Sequence, residues 1–272
     1  MSEIVKSKRP LAAITGASGG LGKEFANQLA AKGYDLLLIA RRGNLLETIK
    51  SEYESKYGIN VQTLICDLSK ADEVRSLENR LENEETLEFM VNNAGFGREG
   101  MFPNVDPDLE EEMIQVHVIS LMRLARAALV PMCKRKKGFL INLSSVAAFL
   151  AGTNCAEYMA TKAYVLSFSR SIQYDVAKHN VRVQALCPGL THTGFHNSKT
   201  MIGFNKNKTP GFAWLNADYV VKCSLRSIIK TKRVICIPSF RYKLILMLLN
   251  NPIGNKICEL IYNKRAKNKQ AE

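Results

Sequence analysis

Residues 10–22 read Pro10-Leu-Ala-Ala-Ile-Thr15-Gly16-Ala17-Ser18-Gly19-Gly20-Leu21-Gly22, a short apolar run that breaks into a glycine-rich turn, with a helix-forming stretch at 23–32 directly behind it. Strand, glycine turn and helix in that order can build a phosphate site. Glycines let the backbone turn tightly and approach a pyrophosphate, whose charge then sits at a helix N-terminus among unpaired N–H groups and the positive end of the dipole. Gly16, Ser18, Gly20, Leu21 and Gly22 are the candidate binding positions. The spacing Gly-x-x-x-Gly-x-Gly departs from the Gly-x-Gly-x-x-Gly fingerprint, and a flexible surface turn is the competing reading.

Outward from this turn, residues 34–40 (Tyr-Asp-Leu-Leu-Leu-Ile-Ala) form the near-continuous apolar run expected of a strand buried on both faces of a parallel sheet. Arg41 and Arg42 close it. A carboxylate here would hold the ribose 2′-hydroxyl of NAD, whereas arginine pairs with the 2′-phosphate of NADP. Asp35 stands at the wrong end of the run, so the sequence predicts NADP(H) with Arg41 as the phosphate ligand, against the alternative of two solvated arginines. Further strands are expected at 61–66, 87–91, 139–143 and 181–186, with a seventh at 234–237, and helices at 70–83, 108–132 and 155–178. Alternation of this kind demands right-handed crossovers and a parallel sheet covered on both sides. The expected fold is one doubly wound α/β domain of Rossmann type over residues 1–240, with a basic helical extension of the same domain at 241–272. Ligands of such sheets sit beyond the carboxyl ends of the strands, and Gly16, Arg41, Asp67, Asn93, Ser145 and Pro188-Gly189 each follow a predicted strand.

Tyr158 and Lys162 fall four apart on the predicted helix 155–178, on one face and about one turn from each other, with Ser145 at the end of the strand before. With an ammonium about 4 Å away at an effective dielectric of about 20, Coulomb's law gives roughly 4 kcal/mol. That would draw a phenol from its usual value near 10 towards neutral-pH acid/base work. Tyr-x-x-x-Lys on its own is common on amphipathic helices; the nucleotide-binding first half gives it weight.

Taken together, Thr15-Gly-x-x-x-Gly-x-Gly, Asp67, Asn92-Asn93-Ala94-Gly95, Ser145, Tyr158-x-x-x-Lys162 and Pro188-Gly189 with Thr193 resemble the short-chain dehydrogenase/reductase family over about residues 8–240. The resemblance implies hydride transfer between NADPH and a ketone or secondary alcohol, without a metal. Tyr158 would then be the general acid in reduction, Ser145 would hold the substrate oxygen, and Lys162 would hold the nicotinamide ribose and depress the tyrosine pKa. Asp67 would meet the adenine, Asn93 and Gly95 would line the cofactor cleft, and Pro188, Gly189, Thr191 and Thr193 would bracket the nicotinamide. The family's usual asparagine after Asn-Asn-Ala-Gly is replaced in Gln115-Val116-His117-Val118. His117 either supports the water that the asparagine is thought to hold, as a neutral ring able to donate and accept, or only packs and hydrogen-bonds. The family likeness also implies a homodimer or homotetramer through the helices at 108–132 and 155–178.

At 272 residues the chain can bury a single substantial core, and no composition shift marks a linker. Seven cysteines without zinc-type spacing suit a reducing compartment, and the polar, basic residues 1–10 lead into no signal core, so the sequence predicts a soluble cytoplasmic protein. Its net charge of +13 is concentrated late: residues 199–272 hold 15 Lys and Arg against 3 Asp and Glu. The apolar run within 241–249 is far shorter than the roughly 20 residues needed to span a bilayer. A helical cap with a solvated tail, weak peripheral contact with anionic lipid and a dock for an acidic partner all fit. No nucleic-acid reading motif accompanies the cations.

Residues 191–215 occupy the family's place for a substrate lid and are rich in apolar bulk: Phe195, Met201, Phe204, Phe212 and Trp214. With Phe96, Met101, Phe102, Phe149 and Leu150 they suggest a pocket for a lipophilic carbonyl, 3-oxoacyl or steroid-like, or else they pack the lid or a subunit interface. The alternative to an enzyme is a non-enzymatic NADPH-binding regulatory or interaction protein, encouraged by His117 and the basic tail.

Overall fold

The computed structural model describes residues 9–195, 209–231, 233–249 and 256. Its centre is a seven-stranded parallel sheet in the order β3-β2-β1-β4-β5-β6-β9. The strands are β1 (Leu11–Thr15), β2 (Asp35–Ala40), β3 (Val61–Ile65), β4 (Leu87–Asn92), β5 (Gly138–Leu143), β6 (Val181–Leu186) and β9 (Ile235–Cys236). A separate two-stranded pairing joins β7 (Thr191–His192) to β8 (Leu215–Asn216). The strand order reverses between β1 and β4, and that switch point opens the crevice where such sheets bind ligands.

Period-two alternation sorts each strand between two cores. Leu36 and Leu38 of β2 join Ala12 and Ile14 of β1 on one face, under α1 (Gly20–Ala30), α2 (Gly43–Tyr57) and α7 (Ala217–Lys230). Leu37 and Ile39 face the other way with Leu11 and Ala13, under α3 (Ala71–Glu82), α5 (Leu121–Arg135) and α6 (Ala156–Val176). In α1 the buried side is Leu21, Phe25, Ala26 and Leu29, spaced for one helical face. Gly58 ends α2 in the left-handed conformation, its N–H donating to the Glu54 carbonyl.

The helix expected over 108–132 is three pieces: α4 (Pro107–Ile114), a π-helical stretch Gln115–Ser120, and α5. Asp106 caps α4 by accepting from the Asp108 N–H at 3.0 Å. Pro107–Arg135 is apolar enough to cross a bilayer by length and composition, with mean hydropathy 1.4, yet Leu124, Ala128 and Met132 of α5 are buried on the sheet. Helices α2 and α7 add to those expected from the sequence. In α7 the signal was there: Val220, Val221, Ser224, Leu225 and Ile228 recur at helical spacing and are buried. Helix α8 (Phe240–Leu249) packs beside the 3-10 turn Val146–Phe149.

Candidate active site

The glycine turn connects β1 to α1 at the switch point. Gly16 has φ +66°, a conformation that favours glycine, and Gly22 lies so close behind it that an added Cβ would overlap the Gly16 carbonyl and come within 2.5 Å of Asn93 Nδ2. Thr15 ties this turn to the next strand: its hydroxyl accepts from the backbone N–H groups of Asn93 and Ala94, both at 3.0 Å. Asn93 Nδ2 donates back to the Thr15 carbonyl at 2.9 Å. The backbone of β1 and β4 is thereby clamped at the floor of the crevice. Across it, the Thr193 side chain faces Gly20, 3.4 Å from where a Cβ would stand.

On the far side of β4, the end of β5 holds the reactive groups. Lys162 Nζ donates to the Leu143 carbonyl at 3.1 Å, and Ser144 Oγ donates to the Lys162 carbonyl at 2.8 Å. Ser145 accepts from the Ala147 N–H at 3.1 Å, opening a short 3-10 turn, and its hydroxyl also bonds the Tyr158 phenol. Lys162 Nζ lies 5.6 Å from the Tyr158 ring centre. Beneath them runs a buried amide ladder, Asn92 Nδ2 to Asn142 Oδ1 at 2.9 Å and Asn142 Nδ2 to Ser169 Oγ at 3.0 Å, which locks β4, β5 and α6 together.

Burial dominates the titration of this pair. It lowers the Lys162 ammonium to about 8 and pushes the Tyr158 phenol up to about 12, with the Ser145 hydrogen bond pulling the other way. The depressed tyrosine pKa expected from the sequence is therefore not found. The Coulomb argument took a separation of about 4 Å in a polar medium, and removing the phenolate from water costs more than the cation returns. Lys162 remains largely cationic at neutral pH and Tyr158 holds its proton.

All the residues singled out from the sequence for catalysis or cofactor binding line one cavity of about 960 Å³, except Gly22, which packs behind the turn, and His117. The chain matches the short chain dehydrogenase family model over residues 10–201. It belongs to that family. Across 179 residues it is 33% identical to nodulation protein G of Rhizobium sp. (strain N33), covering 65% of this chain and 71% of that protein. A very-long-chain 3-oxoacyl-CoA reductase of Laccaria bicolor is 34% identical over 179 residues, which are 64% of this chain but 53% of the relative's own length. Among solved structures, a short-chain dehydrogenase from Sphingobium yanoikuyae in complex with NADPH superposes with a TM-score of 0.80 at 28% identity, covering 87% of this chain and 91% of that one.

As a short chain dehydrogenase the protein is an oxidoreductase that uses a nucleotide cofactor, and its residues fit one: Gly16 and Gly20 hold φ of +66° and +54°, and a Cβ at Gly16 would come within 2.8 Å of Asn93 Nδ2. The two arginines that close β2 both line the cavity but have different partners. Arg41 sits between carboxylates, 4.0 Å from Asp67 and 3.9 Å from Glu112, whereas Arg42 donates through Nε and a terminal nitrogen to Ser18 Oγ at 3.1 and 2.9 Å. Arg42, not Arg41, reaches the glycine turn. Burial raises the Asp67 carboxyl, but Ser69 N–H and hydroxyl bonds and the Arg41 cation outweigh it and hold the group below its usual value.

His117 lies in the π-helical stretch and is buried at 1% exposure. Its Nε2 accepts from the Phe96 N–H at 3.0 Å, and Nδ1 meets Thr161 Oγ1 at 3.1 Å. Because Thr161 donates its own proton to the Tyr158 carbonyl, His117 must carry its proton on Nδ1. Burial, then the Lys162 cation, keep it neutral. Both ring nitrogens are thus spent on protein partners, which favours the packing and hydrogen-bonding role over support of a relay water. The ring bridges the Asn93–Phe96 loop to the Tyr158 helix instead.

On the substrate side Phe96, Leu150 and Phe195 line the cavity. Met101, Phe102 and Phe212 are exposed, Phe149 packs with Leu166 and Cys187, and Trp214 stacks on His192 at 5.1 Å. Met201 and Phe204 lie outside the described residues. Tyr242 of α8, which nothing in the sequence marked, also lines the cleft.

Proposed function

We propose that the protein reduces a lipophilic ketone with NADPH, the bound dinucleotide supplying the hydride. The convergence of Tyr158, Ser145 and Lys162 with the glycine turn in one cleft carries this reading. The Ser145 hydroxyl lies beside the Tyr158 phenol and would donate to the oxygen of a carbonyl bound between them. Tyr158, protonated across the physiological range, donates to that oxygen as charge develops on it. Lys162 would offset the phenolate left behind and hold the nicotinamide ribose. Asp67 would hold the adenine end, and Asn93, Gly95, Pro188, Gly189, Thr191 and Thr193, which line the same cavity, would hold the rest of the cofactor. His117 is a positioning residue that holds the cleft floor to α6.

Preference for NADPH is supported by Arg42 and Ser18, a cation and a hydroxyl beside the turn at the end of β2, where a 2′-phosphate would sit. The apolar wall of Phe96, Leu150, Met159, Leu190 and Phe195 supports a 3-oxoacyl or steroid-like carbonyl over a polar one. Exposed Ile119, Val130, Tyr164 and Tyr174 on α5, its π-helical lead-in and α6 support pairing into a homo-oligomer. The non-enzymatic alternative loses its encouragement from His117, whose bonds are structural.

The test is a panel of carbonyls offered with NADPH and, separately, NADH, followed by nicotinamide absorbance. The expected result is faster turnover with NADPH and a preference for apolar ketones. Tight NADPH binding with no carbonyl-dependent oxidation across the panel would establish the regulatory alternative, and faster NADH turnover would remove the cofactor assignment.

A further inference from the structure

We propose that α8 docks the protein on an anionic lipid surface with the mouth of its cleft turned towards the bilayer. After Arg241 and Lys243 this helix runs Leu-Ile-Leu-Met-Leu-Leu, and Leu246 is the residue it buries. Phe240 is 77% exposed, and Leu244, Ile245, Met247 and Leu248 are exposed as well. A helix that is apolar around its circumference belongs in a core or in lipid, and this one lies outside both cores. Phe212, 68% exposed, extends the patch, because Arg241 donates to its carbonyl at 2.8 Å.

Charge identifies the occupant. Residues 199–272 hold 15 basic against 3 acidic side chains, and Lys264, Arg265, Lys267 and Lys269 follow α8 in the sequence. Apolar insertion and a basic run in the same stretch of sequence supply the two signals by which a peripheral protein holds an anionic bilayer. A second copy laid on the same face would bring like charges together.

The helix is fixed to the cleft it would present. Tyr242 packs against Gly189, and its hydroxyl accepts from the Leu190 N–H at 3.0 Å while donating to the Ala213 carbonyl at 2.8 Å. Docking α8 therefore brings Gly189 and Leu190, which line the cleft beside Tyr242, close to the membrane surface, where lipophilic molecules partition. That consequence for substrate entry rests on the proposed function; the docking does not.

Full-length protein is sedimented with vesicles of phosphatidylcholine alone and of phosphatidylcholine with phosphatidylserine, at low and high salt. It should pellet with the anionic vesicles at low salt and be released as salt screens the charges. Joint Leu244→Asp and Ile245→Asp substitution, at positions outside the cleft lining, should cut partitioning at least about tenfold. Replacing Lys264, Arg265, Lys267 and Lys269 by Gln should cost up to about fivefold per charge. Turnover of a small water-soluble ketone should stay at the parent level in both variants. If the parent reduces no ketone, thermal melting followed by circular dichroism reports their folding, so the docking result stands apart from the enzymatic one. Failure to pellet, equal pelleting with both vesicle types, or an aspartate variant that dissociates an oligomer while pelleting like the parent would each overturn the proposal.

Discussion

The two walls of the cleft are built by different means. On the cofactor side the working parts are backbone, with the left-handed turn at Gly16, the close approach of Gly22, and the Thr15 clamp on Asn93 and Ala94. On the substrate side they are bulky side chains delivered from positions as far apart as Phe96 and Tyr242. A backbone site tolerates few residue types at each position. An apolar wall asks mainly for volume, so its members are exchangeable and its specificity is spread thinly.

Substitutions should expose that contrast, and the largest effect belongs to the backbone wall. Gly22→Ala forces a Cβ into the Gly16 carbonyl and Asn93, so kcat/KM with NADPH should fall by about 100-fold or more, in line with severe overpacking. Leu150→Ala on the opposite wall should change the KM for an apolar ketone by about tenfold or less and leave NADPH affinity alone. Equal losses in the two variants would erase the distinction between the walls.

Lys162, a side chain on the cofactor side, carries a cost of its own. Its folded pKa of about 8 lies below the unfolded value near 10.5, so the unfolded state binds the extra proton between those two pH values and parent stability rises with pH across that window. Lys162→Met should therefore raise stability by about 3 kcal/mol at pH 7, with the gain shrinking from pH 8 to 10.5, while abolishing turnover. Melting curves across pH check this. A destabilised variant at neutral pH would mean the lysine is better compensated than its burial implies.

Arg42 sharpens the cofactor wall. Arg42→Ala should raise the KM for NADPH by about 10- to 100-fold, the range of one charge-assisted contact, with NADH kinetics unchanged and Arg41→Ala close to the parent. The reverse ranking would return the phosphate to Arg41. A smaller effect is expected at His117. As its folded pKa lies well below 6.5, the unfolded state alone takes up a proton on acidification, and stability drops as the pH falls below 6.5. His117→Asn should flatten that slope, and His117→Ala should cost about 1–3 kcal/mol by leaving the Phe96 N–H unpaired. An unaltered acid slope in His117→Asn would show that the ring is not held neutral.

The same contrast explains what could be read in the sequence. Parallel strands buried on both faces announce themselves as apolar runs, and Gly16, Asn93, Ser145, Tyr158 and Lys162 sit at the ends or faces of elements whose spacing is fixed. The different partners of Arg41 and Arg42 were not legible, because Glu112 arrives from α4 to pair with one of them. The break of the 108–132 helix into a π-helical stretch left no mark in hydrophobic periodicity. Nor did Tyr158's raised pKa, since sequence spacing gives a partner but not a degree of burial. Met101, Phe102 and Phe212 show the limit on the substrate side: an aromatic near a strand end can as readily face solvent as a pocket.

Proton donation by Tyr158 is the claim on which the account turns. The measurement is NADPH oxidation driven by the best ketone of the panel, for the parent and Tyr158→Phe, with NADPH affinity read alongside by the change in nicotinamide fluorescence on binding. Removing only the hydroxyl should leave the affinity within about threefold, while turnover falls by about 100-fold or more, as expected for loss of a general acid. Turnover in Tyr158→Phe within a few fold of the parent, at equal affinity, would contradict it.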